Sequence, residues 1–92
     1  MNTSDQELEV ARKLKEIREN QQLSQLELSL KSDVSQNMIT YIETGKRTPT
    51  LTTLLKLCNA LNISPSILFS PSSDEVLAKK KQVISLIEKY MN

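Results

Sequence analysis

The side chains with the most specific chemistry in this sequence lie between Gln36 and Thr44. Gln36, Asn37, Thr40, Tyr41 and Thr44 are polar and uncharged, and each carries an amide or a hydroxyl. A side-chain amide presents a donor beside an acceptor, the pattern that pairs bidentately with adenine in the major groove of DNA. Thr40 can meet a thymine methyl or a phosphate. Taken singly, each is an ordinary solvated residue. A helix face with only solubility to serve would more often carry Lys and Glu. Directly after this run, Gly45-Lys46-Arg47 adds two cations. They suit phosphate, and they equally suit the negative end of a helix dipole.

The elements that must position these groups run from Leu23 to Pro49. Ser24 and Glu27 have the spacing of a capping box, which opens a helix of about Ser24 to Lys31. Ser32-Asp33-Val34 interrupts it, and Asp tolerates the left-handed backbone of a sharp turn. Ser35 is a second N-cap. The next helix, about Gln36 to Thr44, turns Ile39 and Ile42 to the core and leaves Met38 between core and flank. Gly45, the only glycine, stands where a C-terminal cap requires positive φ. A helix, a tight turn, and a helix with amides in its first turn fit a helix-turn-helix with its recognition helix second.

These residues resemble a known family. Leu23-Ser24-Gln25 to Leu28, Val34-Ser35, Ile39, Ile42-Glu43 and Gly45-Lys46-Arg47-Thr48-Pro49 are similar to the phage Cro/repressor class, the XRE-type helix-turn-helix. The similarity continues through Leu54-Leu55-Lys56-Leu57 and Ala60-Leu61-Asn62-Ile63-Ser64 to Leu68-Phe69, and covers roughly residues 12 to 69. Two positions depart from the pattern: Ser29 stands where the family usually has Ala, and Asp33 where it usually has Gly. Ser is small enough for a close helix contact and Asp can take the turn, so the motif should survive with some loss of stability. The resemblance implies that Gln36, Asn37, Tyr41 and Thr40 face bases, and that Gln25, Thr44, Lys46 and Arg47 face phosphates. It also implies an ion pair between Arg18 and Glu43. For Gln25 the plain alternative is the second residue of a capped helix; for Arg18 and Glu43, two exposed charges.

Composition bounds the function. Ninety-two residues make one domain with a single modest core. The aromatic residues are Tyr41, Phe69 and Tyr90, so Leu, Ile and Val must build that core. Histidine is absent and cysteine occurs once, which removes a His general base, a Cys-His pair and a Cys/His zinc site. Cys58 sits on the apolar side of its helix and reads as a small buried residue. There is no Gly-rich phosphate loop, and the paired carboxylates, such as Asp74-Glu75, are surface charges. An enzyme is not expected, nor a metal or cofactor. No run of about 18 apolar residues offers a membrane span, and the polar, acidic N-terminus is unlike a signal peptide. The expected location is the cytoplasm. The net charge of +1 is small for a nucleic-acid binder, but binding depends on the charge of one face rather than the sum.

The rest of the chain supplies scaffold. Ser4 and Glu7 could cap a first helix of about residues 5 to 20, with Leu8, Ala11, Leu14 and Ile17 as its buried stripe and Glu9, Arg12, Lys13 and Glu16 as a solvated, mutually paired face. Thr50 caps a helix of about Leu51 to Leu61, with Leu51, Leu54, Leu57, Cys58 and Leu61 buried and Asn62 ending it. Ser64-Pro65 opens a short fifth helix, from which Ile67, Leu68 and Phe69 close the base of the core. Pro71-Ser72-Ser73 divides the chain into residues 1–70, the DNA-binding domain, and 71–92. A sixth helix, about Ser73 to Met91, carries the apolar stripe Val76, Leu77, Val83, Ile84, Ile87 and Met91. That stripe packs either on its own subunit or across a dimer. Its lysines are interspersed with Ser, Gln and Glu, which argues against a membrane-surface helix.

The expected fold is all-α: a five-helix, lambda-repressor-like domain with a helix-turn-helix, plus the extra C-terminal helix. The expected function is sequence-specific transcriptional regulation, most simply repression, by a homodimer on a palindromic stretch of double-stranded DNA. Two recognition helices would then enter successive major grooves about 34 Å apart. The competing expectation is a protein-interaction module, antitoxin-like or antirepressor-controlled, whose helices hold a protein partner.

Overall fold

In the computed structural model, residues 3–69 are described, and they form four α-helices and a closing 3-10 turn. The helices are α1 (Thr3–Asn20), α2 (Gln25–Ser32), α3 (Gln36–Glu43) and α4 (Leu51–Leu61), with the 3-10 turn at Pro65–Phe69. The sixth helix, its stripe of Val76, Leu77, Val83, Ile84, Ile87 and Met91, and the domain boundary at residues 70–71 lie outside the described residues.

Local chemistry explains where the helices begin and end. Ser24 accepts from the Glu27 N–H at 3.0 Å while Glu27 accepts from the Ser24 N–H at 3.1 Å, which completes a capping box at α2. Ser35 and Thr50 cap α3 and α4 through the N–H groups of Met38 and Thr53. Asp33 and Asn62 end α2 and α4 in the left-handed conformation, at φ 60° and 56°. Thr44 follows α3 as its cap rather than as its last residue.

The core is one cluster of aliphatic side chains. Leu14 from α1, Leu28 from α2, Ile39 and Ile42 from α3, Leu54, Leu57, Cys58 and Leu61 from α4, and Leu68 meet there with Val34 from the turn. Met38 packs against its edge. Helix α2 packs on α3 and α4, and α1 packs on α3 and the 3-10 turn. At the far end, the Gln21 amide donates to the Leu61 carbonyl at 2.8 Å and ties α1 to the end of α4. Burial raises the pKa of the Cys58 thiol, which keeps it protonated and inert.

Four expectations are corrected. Helix α1 already includes Thr3 and Ser4, so Ser4 lies in its first turn and is not an N-cap. Leu8 is 55% exposed, because it lies over Gly45 rather than in the core. Leu51 and Phe69 are 72% and 68% exposed and Ile67 is also exposed, which leaves Leu68 alone to close the base. Leu8, Leu51 and Phe69 instead share an open groove between α1 and the start of α4. The fifth helix is a 3-10 turn, since five residues opening on Pro65 favour i to i+3 bonds such as Ile67 N–H to the Ser64 carbonyl at 3.1 Å.

Candidate nucleic-acid interface

Helix α3 stands on the protein through Ile39 and Ile42, each 1% exposed. That anchoring sends Gln36, Asn37 and Tyr41 to the opposite, solvent-facing side. Their backbone is held at both ends. Ser35 secures the first turn, and the Thr44 hydroxyl donates back to the Thr40 carbonyl at 2.7 Å. The side chains of Gln36 and Asn37 therefore project from a capped first turn.

The loop after α3 folds back over the helix end. The N–H groups of Lys46 and Arg47 both donate to the Tyr41 carbonyl, at 2.8 and 3.1 Å. Gly45 makes this reversal at φ 75°. The Arg47 guanidinium then lies 5.6 Å from the centre of the Tyr41 ring, within cation–π range. Lys46 and Arg47 are exposed and adjoin the polar face of α3. Thr48 reaches the other way, to the Glu7 carboxylate at 3.2 Å, and fastens the loop to α1.

Behind α3 lies a polar network. Arg18 donates to both Glu43 oxygens, Nε to Oε2 at 2.7 Å and Nη2 to Oε1 at 3.0 Å. Its Nη1 donates to the Leu23 carbonyl at 2.7 Å, just before α2. The Gln25 amide donates to Glu43 Oε1 at 3.1 Å, and its oxygen accepts from the Thr40 hydroxyl at 2.9 Å. The hydrogen bond to Glu43 raises the pKa of Arg18 further above its ordinary value, so the cation is permanent. No buried side-chain nitrogen or oxygen among the described residues lacks a partner, which is what a polar network beside an aliphatic core requires.

The residues singled out in the sequence therefore fall into two groups. Gln36, Asn37, Tyr41, Thr44, Lys46 and Arg47 share the exposed side of α3 and its following loop. Gln25 and Thr40 are half-buried, and their side chains bond to each other at the joint between α2 and α3. Sequence reasoning missed that joint and the stacking of Arg47 on Tyr41. No local pattern announces the Gln25–Thr40 bond, because the two residues come together only when two helices cross. On the outer face of α1, Arg12 bonds Glu9 and Glu16 at 2.6 and 2.8 Å and takes no part in the site. Among the described residues no acidic, Cys or His cluster could hold a metal ion, and no helix is long and apolar enough to cross a membrane.

This arrangement can place two amides and a phenol against an array of base edges, with cations beside them for a polyanionic backbone. Comparison with known proteins identifies the family of the fold. The family model described as Helix-turn-helix matches residues 14–68. The crystal structure of the restriction-modification controller protein C.AhdI from Aeromonas hydrophila is similar, with a TM-score of 0.64 and 33% sequence identity over 66% of this chain and 92% of that one. No curated protein sequence matches the chain.

Proposed function

The chain belongs to the XRE-type helix-turn-helix family of DNA-binding transcription regulators, and from that premise we propose that it is a repressor that binds a palindromic operator as a homodimer. In this reading Gln36, Asn37 and Tyr41 read base edges, with the Thr40 methyl beside them. Thr44, Lys46, Arg47 and the second amide hydrogen of Gln25 face phosphates and fix the register. Occupancy of the operator then blocks polymerase, and no cofactor is involved. Acting on such a site places the protein with the chromosome in the cytoplasm.

The observation that carries this reading is the division of α3 into two faces. One face is buried in the core, and the other presents uncharged hydrogen-bonding groups beside Lys46 and Arg47. The controller protein among the similar structures, a regulator by its name, adds support. Dimerisation is assigned to residues 71–92, through the stripe of Val76, Leu77, Val83, Ile84, Ile87 and Met91. A two-fold dimer is required because one recognition helix makes only a small contact.

The experiment is selection from random oligonucleotides with the purified protein at about 150 mM salt, with sedimentation of the free protein alongside. Recovery of an inverted repeat by a protein that is dimeric alone is the expected result. A dimer that enriches no sequence would exclude operator binding and turn attention to a protein partner. An unaltered dimer in both Leu77→Asp and Ile84→Asp variants would remove residues 71–92 from the interface.

A further inference from the structure

We infer that Gln25 is a positioning residue for base recognition, setting the orientation of α3 through Thr40 and Glu43. The inference rests on the DNA-binding reading above and assigns Gln25 a role separate from any phosphate contact.

The geometry is a two-point attachment. The Gln25 oxygen accepts from Thr40 Oγ1 at 2.9 Å, and its nitrogen donates to Glu43 Oε1 at 3.1 Å. Thr40 and Glu43 are three residues apart, so they neighbour each other along α3. Ile39 and Ile42 seat α3 on the core, and a single tether from α2 would leave small rolls about its axis less restrained. Two tethers to one planar amide fix the roll as well as the distance. Glu43 is itself held by Arg18, so Gln25 grips a point already immobilised against α1.

Thr40 carries this constraint to the reading face. It lies one turn after Gln36 and shares its hydroxyl with the Gln36 carbonyl at 3.1 Å. One turn later, Thr44 donates to the Thr40 carbonyl. A roll of α3 therefore moves Gln36 and Asn37 together. Bidentate recognition of a base is sensitive to such a shift, because hydrogen bonds weaken steeply with misalignment. Attraction between cations and the phosphate backbone is far less directional.

The test measures the ratio of operator to non-operator affinity at one salt concentration. It compares the unaltered protein with Gln25→Ala, Thr40→Val, the double variant and Thr40→Ser, below the melting temperature of each. Valine keeps the shape and methyl of threonine and removes only the hydroxyl. Gln25→Ala and Thr40→Val are each expected to lower the ratio by about tenfold, and the double variant by no more than either alone. Thr40→Ser is expected to retain the ratio. If Gln25→Ala weakens both DNAs equally, the positioning role is overturned and a phosphate contact remains; if the two losses multiply, Gln25 and Thr40 act independently and the role is overturned as well. Should the unaltered protein select no operator, the DNA reading fails, and the same four variants are compared by urea unfolding. A coupling of about tenfold in the unfolding constant then supports the attachment, and independent effects overturn it.

Discussion

Arg18 and Glu43 stand 25 residues apart in the chain and meet in a bidentate pair, with Nε to Oε2 at 2.7 Å and Nη2 to Oε1 at 3.0 Å. Their side chains are only 10% and 3% exposed. The planar guanidinium matches the carboxylate in a way a lysine ammonium cannot. With the third bond, to the Leu23 carbonyl, this one arginine joins α1, the start of the helix-turn-helix and the end of α3.

Removing one side of this pair leaves the other charge buried. Glu43→Ala is therefore expected to lower the stability by about 3–5 kcal/mol. Urea unfolding of the purified variant checks this, and an unchanged midpoint would mean that the loss of Glu43 does not leave Arg18 as an uncompensated buried charge.

Gly45 carries a second prediction. At φ 75° a side chain is strained, and an added Cβ would come within 2.7 Å of Leu8 Cδ2. Gly45→Ala should cost about 1–2 kcal/mol from the backbone alone. The Leu8 methyl is the end of a flexible side chain and can shift. Combining Gly45→Ala with Leu8→Ala should thus recover little of the stability in thermal melts. Full recovery would show that the clash, and not the backbone, dominates.

The capping box predicts a dependence on pH. The Ser24 backbone N–H, with the Ser24 side chain, holds the Glu27 carboxyl below its ordinary value of 4.5. A pKa lower in the folded than in the unfolded state means stability that is fully present above 4.5 and lost as pH falls through the lowered value. Glu27→Gln keeps the geometry of the box without the charge. The variant should be the less stable at neutral pH, and the gap should close on acidification. Parallel unfolding curves at neutral and acid pH decide it, and a constant gap would contradict the linkage.

Binding to DNA separates the two kinds of interaction proposed. Lys46→Ala or Arg47→Ala should weaken all sequences alike and flatten the salt dependence by about one unit of slope for each phosphate left without its cation. Gln36→Ala with Asn37→Ala should abolish preference for the operator and leave both general affinity and dimerisation in place. Titrations over a range of salt measure both effects. A double variant that still prefers the operator would remove these amides from base recognition.

Much of this protein is decided within a few residues along the chain. The N-caps at Ser24, Ser35 and Thr50, the left-handed ends at Asp33 and Asn62, and the turn at Gly45 use groups at most a few positions apart, so the local sequence carries them. The core positions of α3 follow for the same reason, since Ile39 and Ile42 repeat with the helix. Burial at the edges of the fold was not decided that way. Leu8, Leu51 and Phe69 fit apolar patterns as well as Leu14 or Leu54 do, yet they are exposed. Periodicity marks a face of a helix, whereas burial depends on how far along that helix a neighbour reaches. The same holds inside the site. The sequence alone determined which residues carry amides, hydroxyls and cations, and which helix presents them. Only the crossing of α2 over α3 decided that Gln25 and Thr40 bond to each other, because that bond depends on the distance and angle between two helices.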